Sequence, residues 1–405
     1  MSLVRPTPPP FEWADPFFTF GVTGTNGKTS TVHMIAAVIA AAGHLPLRIS
    51  TVDYRLGDVD LGLPHTRKGF FDAFEAARDG GSSWASVEVT SRALADHYAK
   101  RWRFDLGVFT NLSADHLSTH GTYEAYLAAK AQLFIHLAPG RTAVLNAADE
   151  HALFIDQAIP PDVRRCWFGS PTRGPILRDA QLTAARVEVD ATGTRVVLKP
   201  SPMADALGGV LETRLVGAVF GENALAAAAA GLSAGFRPDA VKAGLAACPP
   251  VPGRFEVLGH DPVAIVDYAH TPDALDRTCR QARALARGRL IVVFGAGGGA
   301  SPDKRVPMGQ AVGAHADVAF VTDDNPRDDD PAQIAAALVA GLHETSAEVH
   351  VVLDRAEAIE RAMELAAPGD VVVVAGKGHE QGQIRGGECL PFCDRSELRR
   401  WLRTS

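Results

Sequence analysis

The run Gly24-Thr25-Asn26-Gly27-Lys28-Thr29-Ser30 gathers glycines, a lysine and hydroxyls into one short stretch. Residues of these types hold phosphate. Glycines let backbone N–H groups approach phosphate oxygens, and a following helix adds its positive N-terminal end. Lys28 brings a full charge to the β- and γ-phosphates, and Thr29 offers a hydroxyl to Mg²⁺. The strict loop pattern asks for glycine at position 22, where this chain has Val22 with Gly21 beside it. Such a loop specifies a nucleotide and leaves the reaction open.

Other residues have the chemistry to complete a site, and each has a plainer reading. Glu88 ends an apolar run, where a carboxylate can hold Mg²⁺ or simply meet solvent. His116 reads equally as a cap or core histidine. Lys130 sits in YLAAKAQLF, and Tyr126, Leu127 and Leu133 stand at helical spacing to bury its stem. Asp267 and His270 fall where a strand gives way to a turn, the usual place for ligands in an α/β sheet. Asp324-Asn325-Pro326-Arg327 is an Asx-Pro turn with an arginine able to grip a carboxylate bidentately.

These groups need elements to carry them. FFTFGVTG reads as a buried strand and Thr29 to Ala42 as the helix leaving the loop. WASVEV is a strand followed by the helix SRALADHYAK. FDLGVFTN is a strand followed by the helix TYEAYLAAKAQLFIHL, and TAVLN is a further strand. Alternation at this spacing predicts a parallel sheet covered by helices. Residues 180–216 change character, with a hairpin around Thr192-Gly193 and another strand, LETRLVG. Helical GENALAAAAAGLSAG and a second helix ending near Ala247 follow. Proline-rich CPPVPGRFE marks a boundary, beyond which strands and helices alternate again through DVVVVAG. The fold class expected is α/β: a P-loop domain with a parallel sheet and a small antiparallel addition, then a Rossmann-like doubly wound domain. The boundaries read as a lead-in over 1–15, a first domain over 16–248 and a second over 249–405.

The chain has 405 residues with 46% hydrophobic and 21% charged, an ordinary globular balance. Its formal charge of −7 argues against wholesale nucleic-acid binding. No apolar run reaches the roughly 18 residues that a membrane span needs, and no export leader is read. The five cysteines are scattered, which suits a reducing, cytoplasmic setting better than a disulfide framework.

TGTNGKTST, SVEVTSRAL, FTNLSADHLSTHGTYEAYLAAKAQLF, VPGRFE and VDYAHTPDAL occur in that order, joined by VTDDNPR and VVAGKGHE. Together they resemble the Mur ligase family, and within it the branch that adds the third amino acid to the peptidoglycan precursor peptide. The resemblance runs from about Phe18 to the C-terminus. It implies an ATP- and Mg²⁺-dependent ligase: ATP phosphorylates a substrate carboxylate, and an amine attacks the acyl phosphate to form an amide. It implies catalytic roles for Lys28, Glu88, His116 and Lys130, with Thr29, Glu88, His116 and Lys130 around metal and Lys130 as N6-carboxylysine. Gly24 to Ser30, Asn223, Arg254, Asp267 and His270 would serve ATP. Arg305, Asn325, Arg327, Gly376 and Glu380 would hold the amino acid, diaminopimelate in that branch. Small-molecule or peptide acids and an amino acid would be the partners.

The sequence also departs from the family. A UDP-binding N-terminal domain is not found ahead of the loop, which leaves room for a partner protein in its place. The stretch Pro64-His65-Thr66-Arg67-Lys68 replaces the family's Thr-Thr-Pro, and Arg92 follows Ser91 where the family has histidine. Asp96 and Tyr98 replace a glutamine and an arginine, DHLDYHG becomes DHLSTHG, and Gly221-Glu222 precede Asn223. Thr66, Ser91 and Arg92 are the candidate acyl-substrate residues. Their surroundings favour an altered acid substrate over the ordinary UDP-linked dipeptide. A nucleotide-binding subunit without catalysis is the remaining reading, and the retained Lys28, Glu88, His116 and Lys130 speak against it.

Overall fold

A computed structural model describes residues 17–96, 102, 104–113, 122–299 and 302–404. His116 and Tyr98 lie outside the described residues. The chain divides into two compact units, the first ending at Pro249 and the second running from Pro250, with Asp190–Thr192 and Leu215–Gly217 counted in the second.

The first unit is built on the strands β1 (Phe18–Thr23), β2 (Pro46–Ile49), β3 (Tyr54–Leu56), β4 (Val59–Asp60), β5 (Trp84–Glu88), β6 (Leu106–Phe109), β7 (Thr142–Asn146), β8 (Arg164–Gly169), β9 (Leu182–Asp190), β10 (Gly193–Leu198) and β11 (Val210–Thr213). They form one sheet in the order β11-β10-β9-β8-β7-β6-β1-β5-β2-β3-β4. The run from β9 to β2 is parallel, and its central apolar strands β1, β6 and β7 are buried on both faces. The antiparallel additions lie at the two edges.

Strand order fixes the site. β1 lies between β5 and β6, with Val22 opposite Glu88 and Thr23 opposite Phe109. The carboxyl ends of three strands therefore meet around the loop that follows β1. From that loop leaves α1 (Lys28–Ala41), with Gly27 at its N-cap in left-handed geometry, φ 82°. The alanine-rich α2 (Ala218–Ser233) packs on α1, and Gly244 of the next helix, Pro238–Ala247, lies directly on the α1 backbone at Val38.

The second unit has the strands β12 (Glu256–His260), β13 (Val263–Asp267), β14 (Leu290–Phe294), β15 (Val318–Val321), β16 (Glu348–Val351) and β17 (Val371–Ala375), in the order β12-β13-β17-β14-β15-β16. All pairs are parallel except β12 with β13. β12 was not foreseen from the sequence, nor was the hairpin of β18 (Gly382–Arg385) and β19 (Glu388–Pro391) that precedes the last helix, Asp394–Thr404.

Candidate active site

The loop after β1 is held from behind by its neighbour β6. Thr25 N donates to Asn111 O at 2.8 Å and Asn26 N to Asn111 Oδ1 at 2.9 Å. Asn111 Nδ2 and Thr110 Oγ1 both donate to Asn26 O, at 2.9 and 2.7 Å. Gly24 has φ 153°, and a β-carbon there would overlap the Thr110 hydroxyl. The loop is thus fixed before any ligand arrives, which lowers the ordering cost of binding. Asn111 and Thr110 were not singled out from sequence, because their role depends on β6 lying next to β1.

Two lysines converge on this loop. Lys28 Nζ donates to Thr25 O at 2.7 Å, and Lys130 Nζ donates to Gly24 O at 2.7 Å. Lys130 lies on the helix Tyr123–Ile135, is buried, and sets its ammonium 4.4 Å from the centroid of the Tyr126 ring. It is therefore no surface lysine. At the start of α1, Thr29 Oγ1 donates to Glu88 Oε2 at 2.9 Å, and the same oxygen accepts from Thr51 N at 3.1 Å and Thr51 Oγ1 at 3.2 Å. Ser30 is buried in the first turn.

Glu88 also lines a cavity of about 390 Å³. Its walls are Tyr54, Phe70, Val87, Trp102 and Phe104, with Thr66, Arg67, Arg92 and Asp96 among the polar groups. Thr66 caps the helix Arg67–Asp79, accepting from Gly69 N at 3.1 Å. That helix was not read from the sequence. Ser91 is buried at the start of the helix Ser91–Ala95 and does not line the cavity.

Asn223 lies on α2 against the loop, and a β-carbon at Gly27 would overlap its Oδ1. Beside it, buried Glu222 accepts from Asn146 Nδ2 at 2.8 Å and from Arg173 Nε at 2.6 Å. Asn146 Nδ2 also donates to Thr110 O at 2.7 Å.

In the second unit, Arg254 stacks its guanidinium 4.4 Å from the centroid of Tyr268, and its buried Nε has no partner among the described residues. Asp267 accepts from Phe255 N at 2.6 Å, Ala269 N at 3.0 Å and Thr278 Oγ1 at 2.9 Å. Burial pushes its carboxyl above the ordinary range, against the pull of those bonds and of Arg254. His270 bonds Tyr268 O through Nδ1 at 2.7 Å. A separate cluster joins the ends of β15 and β17. Asn325 Nδ2 donates to Glu380 Oε2 at 2.9 Å, and Lys377 Nζ reaches Asn325 Oδ1 and Glu380 Oε2, each at 2.9 Å. Gly376 has φ 120° and faces the Asp324 carboxylate. Arg327, at φ 53°, donates to Gly298 O, while Arg305 donates to Asp329 Oδ2 at 2.6 Å.

Residues 22–231 match the Mur ligase middle domain, and residues 253–378 match the Mur ligase, glutamate ligase domain. The chain is 38% identical over 407 residues to the UDP-N-acetylmuramoyl-L-alanyl-D-glutamate–2,6-diaminopimelate ligase of Geobacter metallireducens, covering 93% of this chain and 77% of that one. It belongs to the Mur ligase family.

Among solved structures, one of a UDP-N-acetylmuramoyl-L-alanyl-D-glutamate–2,6-diaminopimelate ligase superposes with TM-score 0.66 at 32% identity, covering 96% of this chain and 79% of that one. The folylpolyglutamate synthase of Mycobacterium tuberculosis superposes with TM-score 0.72 at 20% identity, covering 90% and 89%, and shares the fold. As a Mur ligase the chain is an ATP-dependent carbon–nitrogen ligase.

Mur ligases use ATP and Mg²⁺, and the residues present fit both. A phosphate at this loop would meet the first turn of α1 and Lys28, whose Nζ now bonds Thr25 O. Mg²⁺ is commonly held by one or two carboxylates together with substrate phosphates, and Glu88, bonded to Thr29, has the chemistry to be one of them. Among the described residues no three His, Cys, Asp or Glu side chains stand together as a closed metal cage. No described helix is long and apolar enough to cross a membrane.

Proposed function

We propose that this Mur ligase joins a diaminopimelate-type amino acid to the D-glutamyl carboxylate of UDP-MurNAc-L-Ala-D-Glu, through an acyl phosphate, in peptidoglycan synthesis. One observation carries the reading. Glu88 both bonds Thr29 at the phosphate loop and lines the cavity holding Thr66 and Arg92. An acid seated there would have its carboxylate beside the end of the nucleotide where the phosphoryl group is transferred. The choice of acid and amine is supported by 38% identity to the diaminopimelate ligase of Geobacter metallireducens.

The roles divide by chemistry. Gly24 to Ser30 cradle phosphate, and Lys28 releases Thr25 O to neutralise charge there. Positioning and charge neutralisation dominate phosphoryl transfer. Thr29 and Glu88, with His116 and Lys130, would hold Mg²⁺, which neutralises charge on the phosphates. Carboxylation of Lys130 belongs to this proposal. It would turn a costly buried cation into an anion suited to metal. Asn223, Arg254, Asp267 and His270 serve the nucleotide; Arg305, Asn325, Arg327, Gly376 and Glu380 serve the amino acid. The setting is cytoplasmic, where ATP is available.

A second reading keeps the chemistry and changes the acid. It rests on Arg92 and Arg67, which bring two guanidinium cations to the cavity, with the His65 imidazole also on its wall. Phosphate release with MgATP and diaminopimelate separates the two. Turnover that depends on UDP-MurNAc-L-Ala-D-Glu supports the first. Turnover only with other acids, lost in Arg92→Ala, supports the second. No amide product with any acid removes both.

A further inference from the structure

Lys377 is wholly buried, three residues before Glu380, and no role was read for it from the sequence. Gly376 and Gly378, at φ 120° and 55°, turn the backbone sharply on either side of it. Its ammonium lies 2.9 Å from Glu380 Oε2, 2.9 Å from Asn325 Oδ1 and 3.6 Å from the Asp324 carboxylate. Asn325 Nδ2 closes the ring of side chains by donating to the same Glu380 oxygen at 2.9 Å. Both bonds to Glu380 therefore fall on Oε2, and Oε1 has no partner among the described residues. A buried ammonium is tolerated only when paired, so this arrangement is strongly specified.

We propose that Lys377 is a positioning residue of the amino-acid site, which saturates one oxygen of Glu380 and presents the other to the incoming ammonium group. The proposal rests on the reading of Glu380 as the group that meets the amine. Two consequences follow from the geometry. Glu380 is held in one rotamer before substrate arrives, so less ordering is left to binding. Glu380 also stays ionised, as an acceptor for an ammonium must. Burial pushes its carboxyl upward, but Asn325, Lys377 and His379 hold it below the usual range. The other charges facing the cluster are Asp324, beside Lys377, and Arg355, whose field reaches both Asp324 and Glu380.

The test compares Lys377→Met, which keeps the stem and drops the charge, with Lys377→Gln, which keeps a neutral donor, and with Glu380→Gln. Melting curves report folding. In Lys377→Met, KM for diaminopimelate should rise about tenfold or more, the worth of a charge-assisted hydrogen bond, with kcat and KM for ATP near wild type. The acidic limb of kcat/KM for the amine should move to higher pH, and Lys377→Gln should fall between. A packing role alone would not move that limb. If Glu380→Gln leaves KM for the amine unchanged, the reading of the amine site falls. If Glu380→Gln raises it while both folded Lys377 variants keep wild-type KM and pH limb, the role proposed for Lys377 is overturned; if Lys377→Met does not fold, Lys377→Gln alone decides.

Discussion

Gly27 and Asn223 are packed so closely that a β-carbon on the glycine would overlap the Asn223 amide oxygen. Gly27 caps α1 at the end of the loop after β1 and Asn223 lies on α2, so this contact sets how near α2 comes to that loop. Gly27 also sits at φ 82°, which costs an alanine about 1–2 kcal/mol. Gly27→Ala is expected to weaken binding of an ATP analogue at least about tenfold by calorimetry, since the loop must shift. Adding Asn223→Ala removes the overlap and leaves the backbone strain, so it should restore melting temperature more than nucleotide affinity. Equal recovery of both would mean that the clash alone was responsible.

Lys130 gives a second expectation. Replacement by alanine should lower kcat by about a hundredfold or more if the residue stabilises transferring charge. Carboxylation needs the neutral amine, so occupancy should rise with pH and with dissolved CO₂. Wild-type protein equilibrated with ¹³C-labelled bicarbonate should give a carbamate carbon resonance that Lys130→Arg lacks. Turnover indifferent to CO₂, with no such resonance, would leave Lys130 as a plain cation on the Gly24 carbonyl.

The sequence makes legible whatever is local in the chain. The loop, its strand and its helix are contiguous, and Glu88 closes an apolar run, so each declared itself. Asn111 did not, because it grips Asn26 from 85 residues away and matters only once β6 is seen beside β1. Lys377 was hidden for a related reason: inside GKGHE it looks like a surface lysine between glycines, and its partner Asn325 reaches it only because the segments after β15 and β17 leave the same end of the sheet. The helix Arg67–Asp79 does leave a signal, Phe70, Ala73, Phe74 and Ala77 at helical spacing behind the Thr66 cap, but Thr66 also suits a substrate residue and so masks the helix start. β12 is short and contains Gly259, so alternation was too weak to reveal it.

Asp370 offers a test by pH. It is buried at the entry to β17 and accepts from Ala367 N at 3.0 Å, Arg289 N at 2.7 Å and the Arg289 guanidinium at 2.8 Å. Burial alone would raise its carboxyl, but these donors outweigh that and hold it below the ordinary value. A depressed folded pKa stabilises above the unfolded value of about 3.9 and is lost as pH falls through the folded one. Asp370→Asn should therefore cost about 2 kcal/mol in urea unfolding near neutrality, with the gap to wild type closing below about pH 4. A gap constant with pH would assign the effect to geometry instead of charge.

Arg355 and Asp394 form a fully buried bidentate pair, Nε to Oδ1 at 2.7 Å and Nη2 to Oδ2 at 2.8 Å. The same guanidinium donates to Asp323 O at 3.1 Å and Ala375 O at 2.8 Å. Those carbonyls stand at the roots of the segments carrying Asn325 and Lys377, so one side chain ties both segments to the last helix. Removing either partner strands a buried charge, and Asp394→Ala or Arg355→Ala should cost about 3–5 kcal/mol. An isolated buried pair can often be replaced by apolar residues with little loss. Here the double variant Arg355→Met/Asp394→Leu should recover only in part, because two buried carbonyls lose their donor, at about 1–3 kcal/mol each. The shortfall should appear twice, in the unfolding midpoint and in a raised KM for the amino acid with kcat nearly unchanged. Full recovery of both would show that the pair answers to itself alone, and that the segments bearing Asn325 and Lys377 are held by other contacts.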